Sequence, residues 1–358
     1  MEITFDHGGP VTVPRSTMTS QVQVTRDVLS LLEWPTDVFS IDHCRSPPGF
    51  IPNSEPKNTA TPLKLNAPEN LNLVVPHTVL VFVAGNPGIV DWYIPFFSEM
   101  IRLLGPGFAA RGVANAGHSL DPNRMEVSKH KGERDTSVPW TVDGQVSHKV
   151  AYMDYIISEL DQLWKTQEHA VSEDSPLFVM VSHSIGAHFT QRLCILRPDI
   201  LKRIKLLIHL TPFIRMDAPQ PKQAMLNFAA RHPTPIIAHH AFMMKLLAIL
   251  PVSAVDWLIR CGMTHDDYAR DITVKLVRQP TFAENFFRLG LEEIRDNPQQ
   301  FDVSWCSSVK VPVRRQLHLT QSFQTLDVRF ALYWKVCPYR DAICGEGSVV
   351  TRVSYSPA

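Results

Sequence analysis

Apolar and polar positions change in a regular way along the middle of the chain. Short, continuous apolar runs rich in β-branched residues occur at 78–84, 177–181 and 204–210, and such runs are typical of strands buried on both faces. A weaker strand is predicted at 108–114. Between these strands lie helical patterns, the clearest of which has apolar residues every three or four positions from Val146 to Trp164. Strands that alternate with helices predict a mainly parallel sheet flanked by helices.

The pattern changes on both sides of this block. Residues 1–76 are predicted to be an irregular arm, with leading strands in the segment 20–34 and a proline-rich loop over 47–68. Residues 77–212 form the predicted core, and 213–326 a helical insertion, or cap, without obvious strands. Residues 327–358 are predicted to hold a last core strand at 328–334 and an atypical tail.

Composition excludes several classes of function. The chain has 35 basic and 35 acidic residues, so no excess of positive charge favours nucleic acid as a partner. The 6 cysteines are scattered without a CxxC pair, and no signal peptide is visible, so a reduced intracellular compartment is expected. No run reaches the roughly 18 apolar residues that a membrane-spanning helix needs. Neither metal-ligand spacing nor a phosphate-binding glycine loop occurs, so no metal or cofactor is expected.

The segment Ser-His-Ser-Ile-Gly at 182–186 stands at the junction of a predicted strand and a predicted helix. A serine on such a turn can be an exposed nucleophile, with the backbone N–H of Ile185 directed at an oxyanion. The turn needs small residues two positions before and after the nucleophile, and Ser182 and Gly186 meet that need. The simpler alternative is that Ser184 only caps the helix.

A second element favours the catalytic interpretation. Ala-Gly-Asn-Pro-Gly at 84–88 ends an earlier strand, where an α/β-hydrolase places its other oxyanion donor. The N–H of Asn86 is the candidate donor, because Pro87 has none. The alternative here is an ordinary turn. Two such elements in the right order at strand ends predict an α/β-hydrolase fold with a helical cap.

These residues also carry a family resemblance. VFVAGNPGIVDWYIPFF, AGHS at 116–119, GQVSHKVAYMDYII, SHSIGAHFTQRL and LTPFIRM resemble the lipid droplet-associated hydrolase family over 78–216. The resemblance implies a serine esterase acting on neutral lipid esters, sterol esters among them, with a role in lipid storage. It implies location at the lipid droplet, on its cytoplasmic face, or at the endoplasmic reticulum. His118 matches a family position and is predicted to be a pocket residue, together with Gly85 and His183.

The general base of a catalytic triad is not evident. The family places its acid after the strand that follows the insertion and its histidine in a later loop, which makes Asp341 the predicted acid and Asp217 the fallback. No histidine follows His318, so the C-terminal part of the fold is expected to be truncated.

Other histidines are interpreted as structural or as poorly placed for the role of base. His183 and His188 flank the nucleophile but are badly oriented for it. His148 is interpreted as a hydrogen-bonding residue on the polar side of its helix, and His209 as a core histidine.

Two functions therefore remain open. The first is hydrolysis of neutral lipid esters at the droplet surface, with transfer of the acyl group to another acceptor as a variant. The second is a lipid-droplet surface protein that keeps the fold but has little or no activity. In either case the apolar segment 236–259, which is interrupted by polar residues, could lie on a lipid monolayer or pack on the core as an ordinary cap.

Overall fold

A computed structural model of the chain describes residues 20–32, 34–45, 74–121, 141–166, 176–212, 227–262 and 266–296. Within these ranges a central sheet is built from β1 (Ser20–Leu31), β2 (Trp34–Arg45), β3 (Thr78–Val83), β4 (Phe108–Val113), β5 (Leu177–His183) and β6 (Ile204–Leu210). Helices surround the sheet: α1 (Ile94–Leu104), α2 (Val142–Thr166), α3 (Gly186–Leu196), α4 (Pro198–Arg203), α5 (Pro233–Ile249), α6 (Val252–Gly262), α7 (Asp267–Val277) and α8 (Pro280–Asp296).

The order of the strands is β1-β2-β4-β3-β5-β6. The strands β4, β3, β5 and β6 are mutually parallel, whereas β1 and β2 form an antiparallel hairpin whose second strand pairs antiparallel with β4. Residue 78 is level with 108 on one side and with 177 on the other. The loops that leave β3, β4 and β5 therefore meet at one edge of the sheet, the carboxyl edge, where open α/β sheets place their sites.

The side chains of β3 show why this strand reads as a continuous apolar run. Val79, Val81 and Val83 pack in the cluster that α2 and α3 cover. Leu80 and Phe82 point to the other face, into the cluster that α1 covers. Because side chains alternate across a strand and both faces are buried, each of these five positions is apolar.

The apolar pattern that predicts strand β4 is weaker because the strand contains a buried arginine. Arg111 is only 3% exposed and forms ion pairs with Asp42 of β2 at 2.9 Å and with Glu159 of α2 at 3.3 Å. Burial by itself lowers the pKa of Arg111, but the two carboxylates outweigh it and hold the pKa above its usual value. The pairs thus join three elements through one charged side chain.

The cap in the described residues includes helices α5 to α8. The apolar segment 236–259 forms two helices, α5 and α6, with Pro251 between them. Helix α8 packs against α5 and places residues on the loops at the carboxyl edge of the sheet. Among the described residues, no helix combines the length and the apolar character needed to cross a bilayer.

The N-terminal segment differs in part from the sequence prediction. Leading strands were expected within 20–34, where β1 lies, but the segment expected to be otherwise irregular also supplies β2, and the two strands form a hairpin. Pro198 begins the short helix α4, because proline is well suited to the first turn. The predicted strand at 328–334 lies outside the described residues.

Candidate active site

Ser184 occupies a tight turn between β5 and α3. Its φ is 51°, in the left-handed region that residues with a side chain rarely adopt. Such a conformation costs about 1–3 kcal/mol and persists only where the surroundings impose it. Here the Ser184 N–H donates to Leu210 O at 3.0 Å, and its carbonyl accepts from Ala187 N–H at 3.1 Å.

The simpler interpretation of Ser184, as a helix cap, is not supported. The N-cap position of α3 belongs to Ile185, without a side-chain capping hydrogen bond. In the described part of the chain, Ser184 Oγ makes no capping hydrogen bond either. A strained serine at a strand–helix junction is the geometry of a nucleophile elbow.

Small residues allow this turn to pack tightly against the end of β3. A Cβ on Gly85 would lie 2.7 Å from His183 O and 2.9 Å from Ser184 Cβ. A Cβ on Gly186 would lie 2.5 Å from Val83 O. Any larger residue at these two positions would push the turn away from the loop that follows β3. Small residues are therefore needed at these two positions because the backbone segments approach each other closely.

The loop after β3 and the start of α3 present the two predicted oxyanion donors. In the residues that the structure describes, neither the Asn86 N–H nor the Ile185 N–H donates to a protein acceptor. Asn86 follows Gly85, which packs on Ser184, and Ile185 follows Ser184 directly. The two N–H groups thus belong to different elements, each next to a residue of this turn, and both are free to bind an acceptor outside the described residues.

His183 precedes Ser184 in the sequence, but its ring forms a hydrogen bond with another residue. Its Nδ1 is 2.9 Å from the hydroxyl of Tyr93. Burial raises the pKa of Tyr93 and lowers the pKa of His183, so the hydrogen bond joins a neutral phenol and a neutral imidazole. A Cβ added to Gly85 would lie 3.1 Å from His183 Nδ1. This contact places His183 as part of the wall around the turn.

His118 lies on the loop after β4 and is fully neutral at physiological pH. Its Nδ1 lies 3.1 Å from Ala116 O and therefore donates to that carbonyl, and burial lowers its pKa to about 4. Its Nε2 is then an acceptor, and it is buried without a hydrogen-bond partner among the described residues. The ring meets Phe282 of the cap edge to face, with centroids 6.2 Å apart.

The GQVSHK motif of α2 holds this loop in place. The Gln145 amide accepts from Ala116 N–H at 3.1 Å and donates to Ala116 O at 3.2 Å. Lys149 Nζ donates to Ala114 O at 2.7 Å, and burial lowers the pKa of this lysine well below its usual value. His148, expected on the polar side of its helix, is instead fully buried and lies 2.7 Å from Thr36 Oγ1. The expected side of the helix was wrong, because α2 buries polar side chains here, whereas the predicted hydrogen-bonding role of His148 agrees with its contact to Thr36.

The remaining histidines and acids do not complete a triad with Ser184. His209 lies 2.6 Å from Ser182 Oγ, and burial lowers the pKa of this histidine to about 4. In the described part of the chain, no histidine or carboxylate forms a hydrogen bond with Ser184. Asp341 and the fallback Asp217 lie outside the described residues.

Helix α8 contributes residues that the sequence did not single out. Asn285 Nδ2 donates to Gly117 O, and Phe286 O accepts from Asn86 Nδ2 at 3.0 Å. Glu293 is 8% exposed, and burial raises its pKa to about 8. The available signal was the presence of Asn and Glu on the apolar stripe of an amphipathic helix. The described residues contain no group of three or more potential metal ligands.

The order of strands, the strained serine and the adjacent glycine loop define an α/β-hydrolase, as predicted from the sequence. A family model described as lipid-droplet associated hydrolase matches residues 76–320. The chain belongs to this family, so the predicted resemblance is confirmed.

Individual relatives are distant. A human lipid droplet-associated hydrolase is 23% identical over 229 residues, which cover 62% of this chain and 63% of the relative. The chicken protein of the same name (Gallus gallus) is 26% identical over 239 residues, covering 64% and 66%. The chain therefore spans less than two thirds of these relatives. Among solved structures, a haloalkane dehalogenase from Agrobacterium tumefaciens has 13% identity and a TM-score of 0.44, covering 77% of this chain and 69% of that chain.

Proposed function

We propose that this protein is a serine-dependent hydrolase of neutral lipid esters, sterol esters among them, which acts at the lipid droplet surface in lipid storage. The observation that carries the proposal is the strained conformation of Ser184, with φ of 51°, together with the backbone N–H groups of Asn86 and Ile185, which have no acceptor in the described part of the chain. Membership of the lipid-droplet associated hydrolase family supports the class of substrate.

The chemistry follows from the placement of these groups. Ser184 Oγ attacks the ester carbonyl, and the N–H groups of Asn86 and Ile185 stabilise the oxyanion that forms. The alcohol leaves with a proton, and water then releases the fatty acid from the acyl-enzyme. The Ser184 proton passes to a general base. Asp341 is proposed as the acid that orients this base.

The cap supports location at a lipid surface. Helices α5 and α6 leave several large apolar side chains exposed, and Ile249 is 80% and Trp257 62% exposed. Contiguous exposed apolar surface marks a site of interaction with another apolar phase. We therefore propose that these two helices contact the phospholipid monolayer of the droplet, on the cytoplasmic side or where droplets adjoin the endoplasmic reticulum.

A second candidate function has an observation of its own. Among the described residues, no imidazole forms a hydrogen bond with Ser184, and an unaided serine is a weak nucleophile. A chain without a functioning base would be a droplet-surface protein that keeps the fold but hydrolyses esters slowly or not at all.

Labelling with a fluorophosphonate separates these two functions. The purified chain is compared with Ser184→Ala and with Ser98→Ala, a control serine whose hydroxyl donates to Ile94 O within α1. The proposed hydrolase labels in the wild type and in Ser98→Ala but not in Ser184→Ala. A folded wild-type chain that does not label would support the inactive surface protein.

A further inference from the structure

One face of α8 lies directly on the side chain of Asn86. Phe286 O accepts from Asn86 Nδ2 at 3.0 Å, and a Cβ on Gly290 would lie 3.1 Å from the same nitrogen. Glu293 follows Gly290 by three positions, so the three residues share one face of the helix. Asn86 is thus held by the cap as well as by the core.

Two buried oxygens, one on Asn86 and one on α8, have no hydrogen-bond partner in the described part of the chain. They are Asn86 Oδ1 and Glu293 Oε1. Both are acceptors if Glu293 is ionised, and a buried carboxylate without a cation is strongly disfavoured. Burial raises the pKa of Glu293 to about 8, against an opposing hydrogen bond from Asn86. At neutral pH Glu293 is therefore a carboxylic acid, which can donate.

We propose that Glu293 is a positioning residue of the oxyanion hole, whose carboxyl group pairs with the side-chain amide of Asn86 and so fixes the Asn86 backbone N–H. The hydroxyl at Oε1 donates to Asn86 Oδ1, and the other carboxyl oxygen accepts from Asn86 Nδ2. This pairing gives both unpaired oxygens a partner. The role rests on the proposed function, since it concerns the oxyanion of ester hydrolysis.

The position of Asn86 explains why its side chain matters for its backbone. Gly85, the preceding residue, packs on Ser184, and Asn115 Nδ2 donates to Gly85 O at 2.8 Å. The carbonyl of Gly85 and the N–H of Asn86 belong to the same peptide plane. Asn115 therefore holds one end of the plane and Glu293, through the Asn86 side chain, holds the residue at the other end.

Three basic groups on the elements that pack against α8 are engaged elsewhere. The ring of His240 of α5 packs against Phe287 of α8, Lys149 of α2 donates to the backbone after β4, and Lys275 of α7 pairs with Asp271. The raised pKa of Glu293 has burial as its main cause and no charged group among its causes. The charge state of Glu293 is therefore set by its contact with Asn86 and by its burial.

Ionisation of Glu293 removes the donor from this pair. As pH rises through about 8, the carboxylate faces Asn86 Oδ1 and repels it, and the Asn86 N–H is held less firmly. An oxyanion donor acts mainly in the transition state, so kcat should fall while KM changes little.

The test measures kcat and KM of the full chain on p-nitrophenyl butyrate from pH 6 to 9.5. It compares the wild type with Glu293→Gln, whose amide can donate to Asn86 Oδ1 at every pH, and with Glu293→Ala. The control Glu284→Gln changes a glutamate on the same helix that pairs with Arg288 at the surface. The expected results are a fall of kcat above pH 8 in wild type and control, no such fall in Glu293→Gln, and a kcat about tenfold lower in Glu293→Ala.

The outcomes separate this role from the function on which it rests. Equal pH profiles for the wild type and Glu293→Gln, in an active enzyme, would overturn the positioning role and leave the hydrolase intact. The positioning role would also be overturned if Glu293→Ala raised KM by the same factor by which it lowered kcat, and if Glu293→Gln behaved in the same way. A folded wild type without turnover or fluorophosphonate labelling would overturn the proposed function itself and this role with it.

Discussion

Gly186 approaches the end of β3 so closely that a Cβ on it would stand 2.5 Å from the carbonyl oxygen of Val83. Val83 immediately precedes the loop that carries Asn86, and Gly186 opens the helix that follows Ser184. One glycine therefore sets the distance between the candidate nucleophile and its oxyanion loop.

Replacement of Gly186 by alanine should disrupt this distance. The added methyl group meets two backbone oxygens, Val83 O at 2.5 Å and Ala84 O at 2.7 Å, which cannot move without the strand. We expect Gly186→Ala to destabilise the fold by about 1–3 kcal/mol and to slow fluorophosphonate labelling of Ser184. Urea denaturation and labelling rates measure both effects. Gly262→Ala is the control, since a Cβ there meets nothing within 4 Å. Equal behaviour of the two variants would contradict the packing argument.

Gln145 should be a structural anchor of the loop that carries His118. Its side chain satisfies both the N–H and the carbonyl of Ala116, which is fully buried. Gln145→Ala should therefore cost roughly 1–3 kcal/mol of unfolding free energy, because it leaves the buried Ala116 N–H unpaired while Ala116 O keeps only the donor from His118. Thermal or urea denaturation measures this loss. Gln162→Ala, an exposed glutamine on the same helix, should be neutral. A small effect at both positions would show that the loop does not depend on the motif.

The exposed apolar residues of α5 and α6 should determine binding to droplets. Ile249→Ser with Trp257→Ser should lower binding to phospholipid-coated triolein droplets by about tenfold or more, because apolar area is lost from the lipid contact. Flotation of the purified chain measures the bound fraction. The control pair Ile195→Ser and Leu196→Ser removes side chains that are 52% and 54% exposed outside the cap. If the control pair reduced binding as strongly, the cap would not be the specific surface.

Glu293 should make stability depend on pH in a defined direction. Its pKa is about 8 in the fold against a usual value of 4.5, so between these values the folded state keeps a proton that the unfolded state has released. The folded state binds more protons in this window, and stability must fall as pH rises from about 4.5 to 8. The gain of Glu293→Gln over the wild type should therefore grow with pH, by several kcal/mol at about 1.4 kcal/mol per pKa unit.

Urea denaturation at pH 5 and pH 8.5 measures this difference without any catalytic assay. Glu284→Gln, whose glutamate is at the surface, should show no growing gain. A gain for Glu293→Gln that is the same at both pH values would show that Glu293 is ionised throughout, and that it does not act as a donor to Asn86.

Secondary-structure elements with a clear local pattern of apolar and small residues could be predicted from the amino-acid sequence. Strand β3 is apolar from Val79 to Val83 because both of its faces are buried there, and the turn needs glycine at 186 because a helix and a strand meet there. These patterns were sufficient to predict the sheet, the α/β-hydrolase fold and the family. The weaker signal of β4 has its cause in Arg111, a charged residue that only its partners on other elements make tolerable.

Contacts between residues that are far apart in the chain could not be predicted in this way, because they depend on how the elements pack in the folded protein. The hydrogen bond between Asn86 Nδ2 and Phe286 O joins positions 200 residues apart, and no local periodicity encodes it. The burial of His148 and Lys149 likewise depends on strand ends that α2 happens to cover. Side-chain charge states follow from burial, and burial is a property of the packed fold. For this reason the candidate serine could be identified from the sequence, whereas the residues proposed to position Asn86 could be identified only from the packing of the cap on the sheet.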